Sequence, residues 1–571
     1  MSREFRIKGG EKILAIIKNF GATEKVILGV LVFIALVSAL STAWAVNKNF
    51  LSPIPTQGGK LSEGVVGLPR SINPVLAFTD VDRDLSTLIY SGLMKHENGK
   101  LVEDIAKNYK ISDDGLTYTF TLKDNVRFHD GTTLTTDDIE FTIQKIQDST
   151  IKSHRRTEWV NIEIKKIGPN EIQFILKQPY PAFLSNATIG IIPKHIWSKI
   201  DSNQFIFSQY NIEPIGSGPY RLNSVKRDSG GIPIYYALSA FKNYYNGEPY
   251  IQDLHIYFYP NEKTATDARD SGSIDTIARV SASEAARIAS SSANVNILHM
   301  PLPRIFGVFF NQNQAPVFAR DEVRQALDIA TDKTKIVDTV LFGYGVEIDS
   351  PIPFREIKMQ KENIKAKEDK AKAILEKAGW VKNSDGILEK KEKKGKQTLE
   401  FSIATADAPD LKLVAEIIKS DWERLGARVT IKVFEYGDLY QNVISTRKYD
   451  ALLFGESIDK DLDLYAFWHS SQRNAPGLNV AMYVNSKIDK LLEDAKNSSS
   501  EKIKKDIFDK FYDIVKEDRP AIFLYSPEFI YVTDKKVRGI NLENITHTSD
   551  RFYGINKWYI KTENVWKVFG Q

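Results

Sequence analysis

The sequence predicts an α/β protein with more than one packed unit, preceded by one N-terminal transmembrane helix. Its 571 residues exceed the roughly 250–300 residues at which a single core stops growing. From about 305 to 525, helical and strand-like segments alternate, which is typical of an α/β fold. Val26 to Val46 is a run of 21 residues without a charge, long enough to cross about 30 Å of hydrocarbon.

The N-terminal region predicts a membrane anchor that is followed by a linker. Lys and Arg crowd the segment before the apolar run, so residues 1–25 are expected to be cytoplasmic, residues 26–46 to span the membrane and residues 47–60 to be a Pro/Gly/polar linker. Ala43-Trp44-Ala45 also has the form that a signal peptidase accepts, so a cleaved secretory signal is the alternative. Both interpretations place the rest of the chain outside the cytoplasm, either attached to the cell membrane through a single pass or released.

Charge and cysteine content exclude several classes of function. Residues 1–60 contain eight Lys/Arg and three Asp/Glu, a net charge of +5, so the other residues contain 69 basic and 70 acidic side chains, a net charge of −1. A body without a basic excess does not predict nucleic-acid binding. The chain has no cysteine, which excludes disulfides, thiolate nucleophiles and the lipid-bearing residue of bacterial lipoproteins.

The first half of the body mixes strands and helices. Tyr118, Phe120 and Leu122 alternate with polar residues and predict a half-buried strand. Thr135 and Asp138 have the spacing of a capping box, which predicts that a helix begins there. Further strands are expected at 171–176, 235–238 and 254–259.

The second half alternates more clearly between helix and strand. Apolar spacing predicts helices over 321–331, 366–378 and 411–425, of which the last two are ended by Gly379 and Gly426. A hairpin is expected around 384–386, and strands are expected at 399–403, 428–433 and 449–454.

The patterns of the common enzyme classes are missing, so no enzyme and no cofactor are predicted. The eight histidines are scattered singly, without paired metal-ligand spacing. The sequence has neither a phosphate loop nor a Gly-x-Ser-x-Gly elbow.

Five stretches, in order along the chain, resemble blocks of one protein family. The longest is Tyr118–Ile146, YTFTLKDNVRFHDGTTLTTDDIEFTIQKI, and the second is the turn Gly216-Ser217-Gly218-Pro219-Tyr220. The others lie at 304–354, 371–380 and 489–525. Together they resemble the extracellular solute-binding proteins of peptide and nickel ABC importers, family 5, over nearly all of residues 61–571.

The resemblance implies a two-lobed clamshell like that of periplasmic binding proteins. Lobe I would comprise 61–300 plus 527–571, with an extra subdomain at about 81–214, and lobe II would comprise 301–526. The implied function is to capture an oligopeptide-like ligand between the lobes and deliver it to an ABC permease and ATPase, which are separate chains. A monomer is expected. The alternatives are a nickel chelate, an oligosaccharide or another small solute as cargo, or a sensor or adhesion ectodomain without transport.

Most of the signature residues are interpreted as structural. Phe128, His129, Asp130 and Gly131 are expected to form the strand-to-helix turn, Gly216 and Gly218 to permit an unusual backbone path, and Tyr220 to pack. Ligand contact is expected instead in 455–468, GESIDKDLDLYAFW.

In the family, an Asp of the comparable loop pairs with the peptide's α-ammonium, and Asp459 matches it, with Asp461 and Asp463 as competitors. Glu456 and Lys460 depart from the family's Trp and Tyr, and the family's Pro is missing, which puts recognition of free peptides in doubt. The other candidate cleft residues are Phe306, Phe309, Phe310, Asn311, Tyr436, Trp468 and Arg473.

Overall fold

The structure is a computed structural model that describes residues 17–97, 100–180, 183–352, 363–393, 395–458, 464–498, 500–543 and 545–566. The chain divides into two compact units. One contains residues 1–57 and 559–571, and the other, the body, contains residues 58–558.

The first unit consists of an exposed helix and a small ribbon of strands. Helix α1 spans Ala22–Phe50 and runs directly into strand β1, Leu51–Thr56, which pairs antiparallel with β23, Lys561–Trp566. Within α1, Ala22–Trp44 is long and apolar enough to cross a membrane and has no buried residue. An anchor and a signal sequence share these properties, so the choice between them stays a prediction.

The helices of the body are α2 Asp80–Ile89, α3 Thr136–Gln147, α4 Arg156–Trp159, α5 Phe183–Asn186, α6 Lys194–Trp197, α7 Glu262–Asp270, α8 Ala282–Ser291, α9 Asp321–Ala330, α10 Lys333–Val340, α11 Ile364–Lys377, α12 Pro409–Leu425, α13 Tyr436–Asp438, α14 Tyr465–Trp468, α15 Ser486–Asn497 and α16 Glu501–Asp518. Its strands are β2 Lys60–Val66, β3 Met94–Glu97, β4 Lys100–Glu103, β5 Ala106–Ile111, β6 Thr117–Leu122, β7 Glu163–Gly168, β8 Glu171–Ile175, β9 Tyr220–Arg227, β10 Pro233–Ala240, β11 Asp253–Tyr259, β12 Thr276–Ala278, β13 Val295–Pro301, β14 Arg304–Phe310, β15 Gly345–Glu347, β16 Val381–Lys382, β17 Leu388–Glu392, β18 Gly395–Thr398, β19 Glu400–Ala406, β20 Arg428–Phe434, β21 Ala451–Ser457 and β22 Ala521–Asp534.

Twelve strands form one mixed sheet through the body. The order is β20-β19-β21-β14-β22-β12-β2-β11-β10-β9, and β13 and β15 also pair with β22. A separate four-stranded sheet, β5-β6-β8-β7, lies within the predicted subdomain, and β16, β17 and β18 form a small sheet beside α12. The lobe and subdomain bounds taken from the resemblance stay a prediction.

Alternating side chains of the central strands bury two cores. On β21, Leu453 belongs to a cluster with helices α9 to α12, whereas Leu452 belongs to a cluster with α14 to α16 on the opposite face. The period of two along a strand requires this division. A third cluster packs α7 and α8 against β12 and β22.

A buried ionic network ties three distant segments together. The Arg551 side chain is 0 % exposed and donates from Nε, Nη1 and Nη2 to Glu63, Asp84 and the carbonyl oxygen of Thr548 at 2.7–3.1 Å. Glu63 lies on β2 and Asp84 on α2, and both are also buried. Tyr531 of β22 donates to the Glu63 carboxylate. Five donated bonds satisfy the guanidinium, so the network holds the C-terminal segment to the sheet.

Most predicted elements are confirmed within one to three residues at each end, but the segment at 47–60 differs from the sequence prediction. A linker is predicted there, whereas the structure continues α1 to Phe50 and forms β1. Correspondingly, residues 559–571 fall in the unit with α1, although the sequence assigns them to lobe I. The pairing of β1 with β23 joins residues about 500 apart, which no local pattern signals.

Candidate functional site

Two antiparallel strand segments pass from one half of the main sheet to the other. β22 has 14 residues; its first part pairs with β14 and its last part with β13. Only Leu302 and Pro303 separate β13 from β14. At this crossing the Leu302 N–H donates to the Pro527 carbonyl oxygen at 3.0 Å, and the Ser526 hydroxyl donates to the Leu302 carbonyl oxygen at 2.6 Å. The two halves are therefore joined here by two hydrogen-bonded strand segments, which form the candidate hinge.

One half contains a topological switch point at the end of β19. Its parallel neighbours β20 and β21 both come later in the chain and lie on opposite sides of it. Helix α12, which follows β19, packs on one face, and residues 439–444, which precede β21, pack on the other. Ligands of open α/β sheets bind in the crevice that such a reversal opens beyond the carboxyl ends of the strands. Here the crevice lies beyond Ala406.

The other half has the same arrangement around β2. Its parallel neighbours β11 and β12 both come later in the chain and flank it on either side. Gly67 follows the strand with φ +107°, a conformation that favours glycine, and the next residue, Leu68, is 44 % exposed. A second crevice therefore lies beyond Val66.

Strand register directs both crevices toward the hinge. In the half around β2, Thr276 pairs with Thr533 and Ala278 with Tyr531, so β12 and its parallel neighbours run toward the crossing at 526–528. In the half around β19, Ser457 pairs with Arg304, so β21 and its parallel neighbours end at the crossing. The region between these two edges is the candidate ligand site.

Glu456 is the least satisfied side chain at this edge. The β19–β21 register aligns Ala404 with Leu452, which places Glu456 two residues, about 7 Å, beyond the end of β19. It is 5 % exposed, and neither carboxyl oxygen has a hydrogen-bond partner within the described part of the chain. Burial raises the pKa of its carboxyl well above the ordinary value, because desolvation disfavours the charged form.

Other side chains at these edges are partly desolvated or strained. Asp410, at the start of α12, has its pKa raised by desolvation. Tyr525 stacks on Phe306 with ring centroids 5.0 Å apart. In the half around β2, Arg279 follows β12 with φ +62°, and its side chain pairs with Asp80 at 2.9 Å.

The predicted contact residues fall into three groups: those near the crevice, those outside the described residues, and those in the core or at the far end of the strands. Tyr436 follows β20 at the crevice and is 61 % exposed, and Phe306 lies at the same edge of β14. Asp459 and Asp461 lie outside the described residues, which resume at Leu464. Tyr436 therefore stays a candidate on position, and the two aspartates stay candidates on sequence alone.

The remaining predicted residues lie away from the crevice or in the core. Phe310 pairs with Ala451 at the opposite end of β14, about 20 Å from Arg304 along the strand. It is 0 % exposed and stacks on Phe318. The structure places this side chain in the core, and its contact with a ligand stays a prediction from the sequence, because the spacing of aromatic residues does not reveal which end of a strand faces the hinge.

Asn311 and Arg473 also lie at that far end of the strands. The Asn311 side chain donates to the Arg447 carbonyl oxygen at 2.9 Å, and the Arg447 Nε donates to the Arg473 carbonyl oxygen at 2.8 Å. Phe309 and Trp468 are buried in the core with ring centroids 6.2 Å apart. Ligand contact by these four side chains stays a prediction from the sequence.

The signature motif is structural, as its sequence predicts. The His129 N–H donates to the Gly216 carbonyl oxygen at 2.8 Å, and the Gly216 N–H donates to His129 Nδ1 at 3.2 Å. Because Nδ1 accepts, the ring is neutral with its proton on Nε2, which donates to the Gly218 carbonyl oxygen at 3.1 Å. Burial lowers the pKa of His129 to about 4. A Cβ at either glycine would collide with the Ile89 backbone, so close approach explains both glycines.

Comparison with known proteins identifies the family. Residues 100–476 match the model of the bacterial extracellular solute-binding proteins, family 5 Middle. The oligopeptide-binding protein AppA of Bacillus subtilis is 30% identical over 520 residues, covering 89% of this chain and 92% of that protein. AppA solved with a nonapeptide covers 89% of this chain and 100% of its own, at 29% identity and a TM-score of 0.64.

NikZ of Campylobacter jejuni in complex with Ni(L-His) is also similar, at 28% identity and a TM-score of 0.66, covering 88% of this chain and 99% of its own. The dipeptide-binding protein of Escherichia coli is 22% identical over 502 residues, 83% of this chain and 90% of that protein. The two-lobed α/β fold, its hinge and these matches agree, and the chain belongs to the bacterial extracellular solute-binding proteins of family 5.

Proposed function

We propose that this chain is the extracytoplasmic solute-binding component of an ABC importer and that its cargo is an oligopeptide-like solute. The observation that carries the proposal is the match of nearly the whole chain to AppA, which is named an oligopeptide-binding protein and has been solved with a nonapeptide. The two facing crevices supply the corresponding geometry.

The hinge accounts for how capture would occur. A ligand that contacts both lobes binds the closed form more tightly than the open form and thereby shifts the population toward closure. An extended peptide is held largely through its main chain, which tolerates different side chains. We assign the peptide's ammonium group to Asp459, with Asp461 as the competitor, because both are located in the sequence just after the crevice strand β21.

The N-terminal helix gives this protein its place at the membrane. We infer that Ala22–Trp44 is retained as an anchor, with the N-terminus in the cytoplasm and the binding lobes outside. Permease and ATPase subunits are then separate chains that receive the cargo, and the binding protein acts as a monomer.

A metal chelate is the second candidate cargo, because the similar NikZ structure holds Ni(L-His). Among the residues that the structure describes, no group of three or more His, Asp or Glu is arranged to hold a metal ion. A metal cargo bound by the described residues would therefore need ligands of its own, as a chelate has.

The test is native mass spectrometry of the full chain, purified gently in detergent, followed by extraction and sequencing of bound material. Peptides of mixed sequence support the proposal, and Asp459→Ala is then expected to lower their occupancy. Asp494→Ala, at an exposed carboxylate on α15, is the matched control. A single non-peptide species would overturn the peptide assignment and leave the transport role. Failure to bind any peptide from offered mixtures would favour the sensor or adhesion alternative.

A further inference from the structure

The ribbon formed by β1 and β23 has one face without a charged residue. Cross-strand partners project from the same face of a two-stranded sheet, and the register pairs Leu51 with Trp566 and Thr56 with Lys561. The uncharged face therefore comprises Leu51, Pro53, Pro55, Thr562, Asn564 and Trp566. The opposite face contains both charged residues of the ribbon, Lys561 and Glu563.

The outer edge of β1 lacks free backbone donors. Residues of an antiparallel strand point their N–H groups alternately toward and away from the partner strand. Pro53 and Pro55 have no N–H, so the ladder runs through the other set, Ser52, Ile54 and Thr56. Leu51 belongs to the outward set, and its N–H donates to the Asn47 carbonyl oxygen. This edge therefore presents only carbonyl acceptors, which water of the polar headgroup region can satisfy.

This ribbon continues directly from the apolar helix. β1 begins at the residue after α1 ends, and only the six residues 45–50, about 9 Å of helix, separate Trp44 from it. The side chains of Trp44, Phe50 and Trp566 are 67 %, 50 % and 51 % exposed, although Phe50 and Trp566 stack on each other. Tryptophan and phenylalanine rings exposed at the end of a membrane span are typical of the lipid–water interface.

A two-stranded ribbon of six pairs is marginally stable in water by itself. Burying the Trp566 and Leu51 side chains in the headgroup region would remove apolar surface from water and stabilise the pairing. We propose that the uncharged face of the β1–β23 ribbon lies on the lipid bilayer where α1 emerges. This inference depends on the membrane anchoring proposed above. The chain then meets the membrane twice, through α1 and through its C-terminal strand.

The chain contains no cysteine, so one introduced thiol gives a unique label. Asn564→Cys reports on the uncharged face, and Glu563→Cys, one residue away on the opposite face, is the matched control. Both positions are exposed, so neither substitution disturbs a core. Each full-length variant is labelled with an environment-sensitive fluorophore and reconstituted into phosphatidylcholine–phosphatidylglycerol vesicles.

Lipids that have a spin label near the headgroup are expected to quench the label at 564 at least about twofold more than the label at 563, with emission shifted to the blue, because only 564 faces the interface. Equal quenching at the two positions, in protein that floats with the vesicles after an alkaline wash, would overturn the docking but leave the anchor intact. Protein that fails to float with the vesicles would overturn the anchor, and with it this inference.

Discussion

Replacing Arg551 with methionine tests whether the buried ionic network holds the C-terminal segment to β2 and α2. Five hydrogen bonds join this guanidinium to Glu63, Asp84 and the Thr548 carbonyl oxygen. Methionine fills part of the volume but leaves two carboxylates without their cation, at 0 % and 2 % exposure. Breaking one side of a buried ion pair costs about 3–5 kcal/mol, because the remaining charge stays desolvated. We expect Arg551→Met to lower the free energy of unfolding by that amount.

Equilibrium urea denaturation at pH 7, followed by far-UV circular dichroism, measures this loss. Lys263→Met is the matched control, because its ion pair with Asp267 is 82 % and 60 % exposed and is worth about 0.5 kcal/mol or less. Adding Glu63→Gln and Asp84→Asn to Arg551→Met removes the stranded charges and is expected to recover part of the loss. If Arg551→Met costs no more than the control, the network does not stabilise the fold and the reasoning is refuted.

Three further predictions follow from the same reading of burial and close approach. Burial lowers the pKa of His129 to about 4. As the pH falls below about 6.5, this histidine is therefore protonated in the unfolded chain before it is protonated in the folded protein. The free energy of unfolding is expected to fall by roughly 3 kcal/mol between pH 6.5 and 4. Urea titrations across that range should show this slope, and His129→Gln should flatten it. Glu456 has a raised pKa, so its unfavourable contribution grows as the pH rises above about 4.5. Glu456→Met is expected to stabilise the protein by about 1–3 kcal/mol at pH 8 and by less at pH 5, and an equal effect at both pH values would contradict this assignment. Gly216→Ala would push a methyl group into the Ile89 carbonyl oxygen and is expected to cost about 1–3 kcal/mol by thermal denaturation. Gly168→Ala, where that methyl group has no neighbour within 4 Å, is its control, and equal melting temperatures would count against close approach.

Local patterns in the sequence predicted the elements well. Thr135 and Asp138 form the capping box that their spacing indicates, and Gly426 ends α12 with φ +104°. Such features depend on contacts within a few residues, which spacing alone reveals. The resemblance likewise predicted the family and the two-lobed fold, because its motifs extend over most of the chain.

The positions of the candidate site residues in the fold could be predicted only in part. Tyr436 and Phe306 lie at the crevice, but Phe310 and Asn311 lie at the far end of β14, although they are near Phe306 in the sequence. A strand has two ends, and only its pairing with β21 and β22 decides which end faces the hinge. Glu456 attracted notice in the sequence only as a departure from the family pattern, since burial without a partner cannot be read from a sequence.

The sequence by itself determined the apolar helix, the lengths and types of the main elements and the family to which the chain belongs. The tertiary structure alone decided the strand order, the two switch points, the Arg551 network and the β1–β23 ribbon. The physical reason is the range of the interactions. Capping and amphipathic periodicity act within one or two turns of chain, whereas Arg551 meets Glu63 across 488 residues, and such partners are specified only when the whole sheet has closed around them.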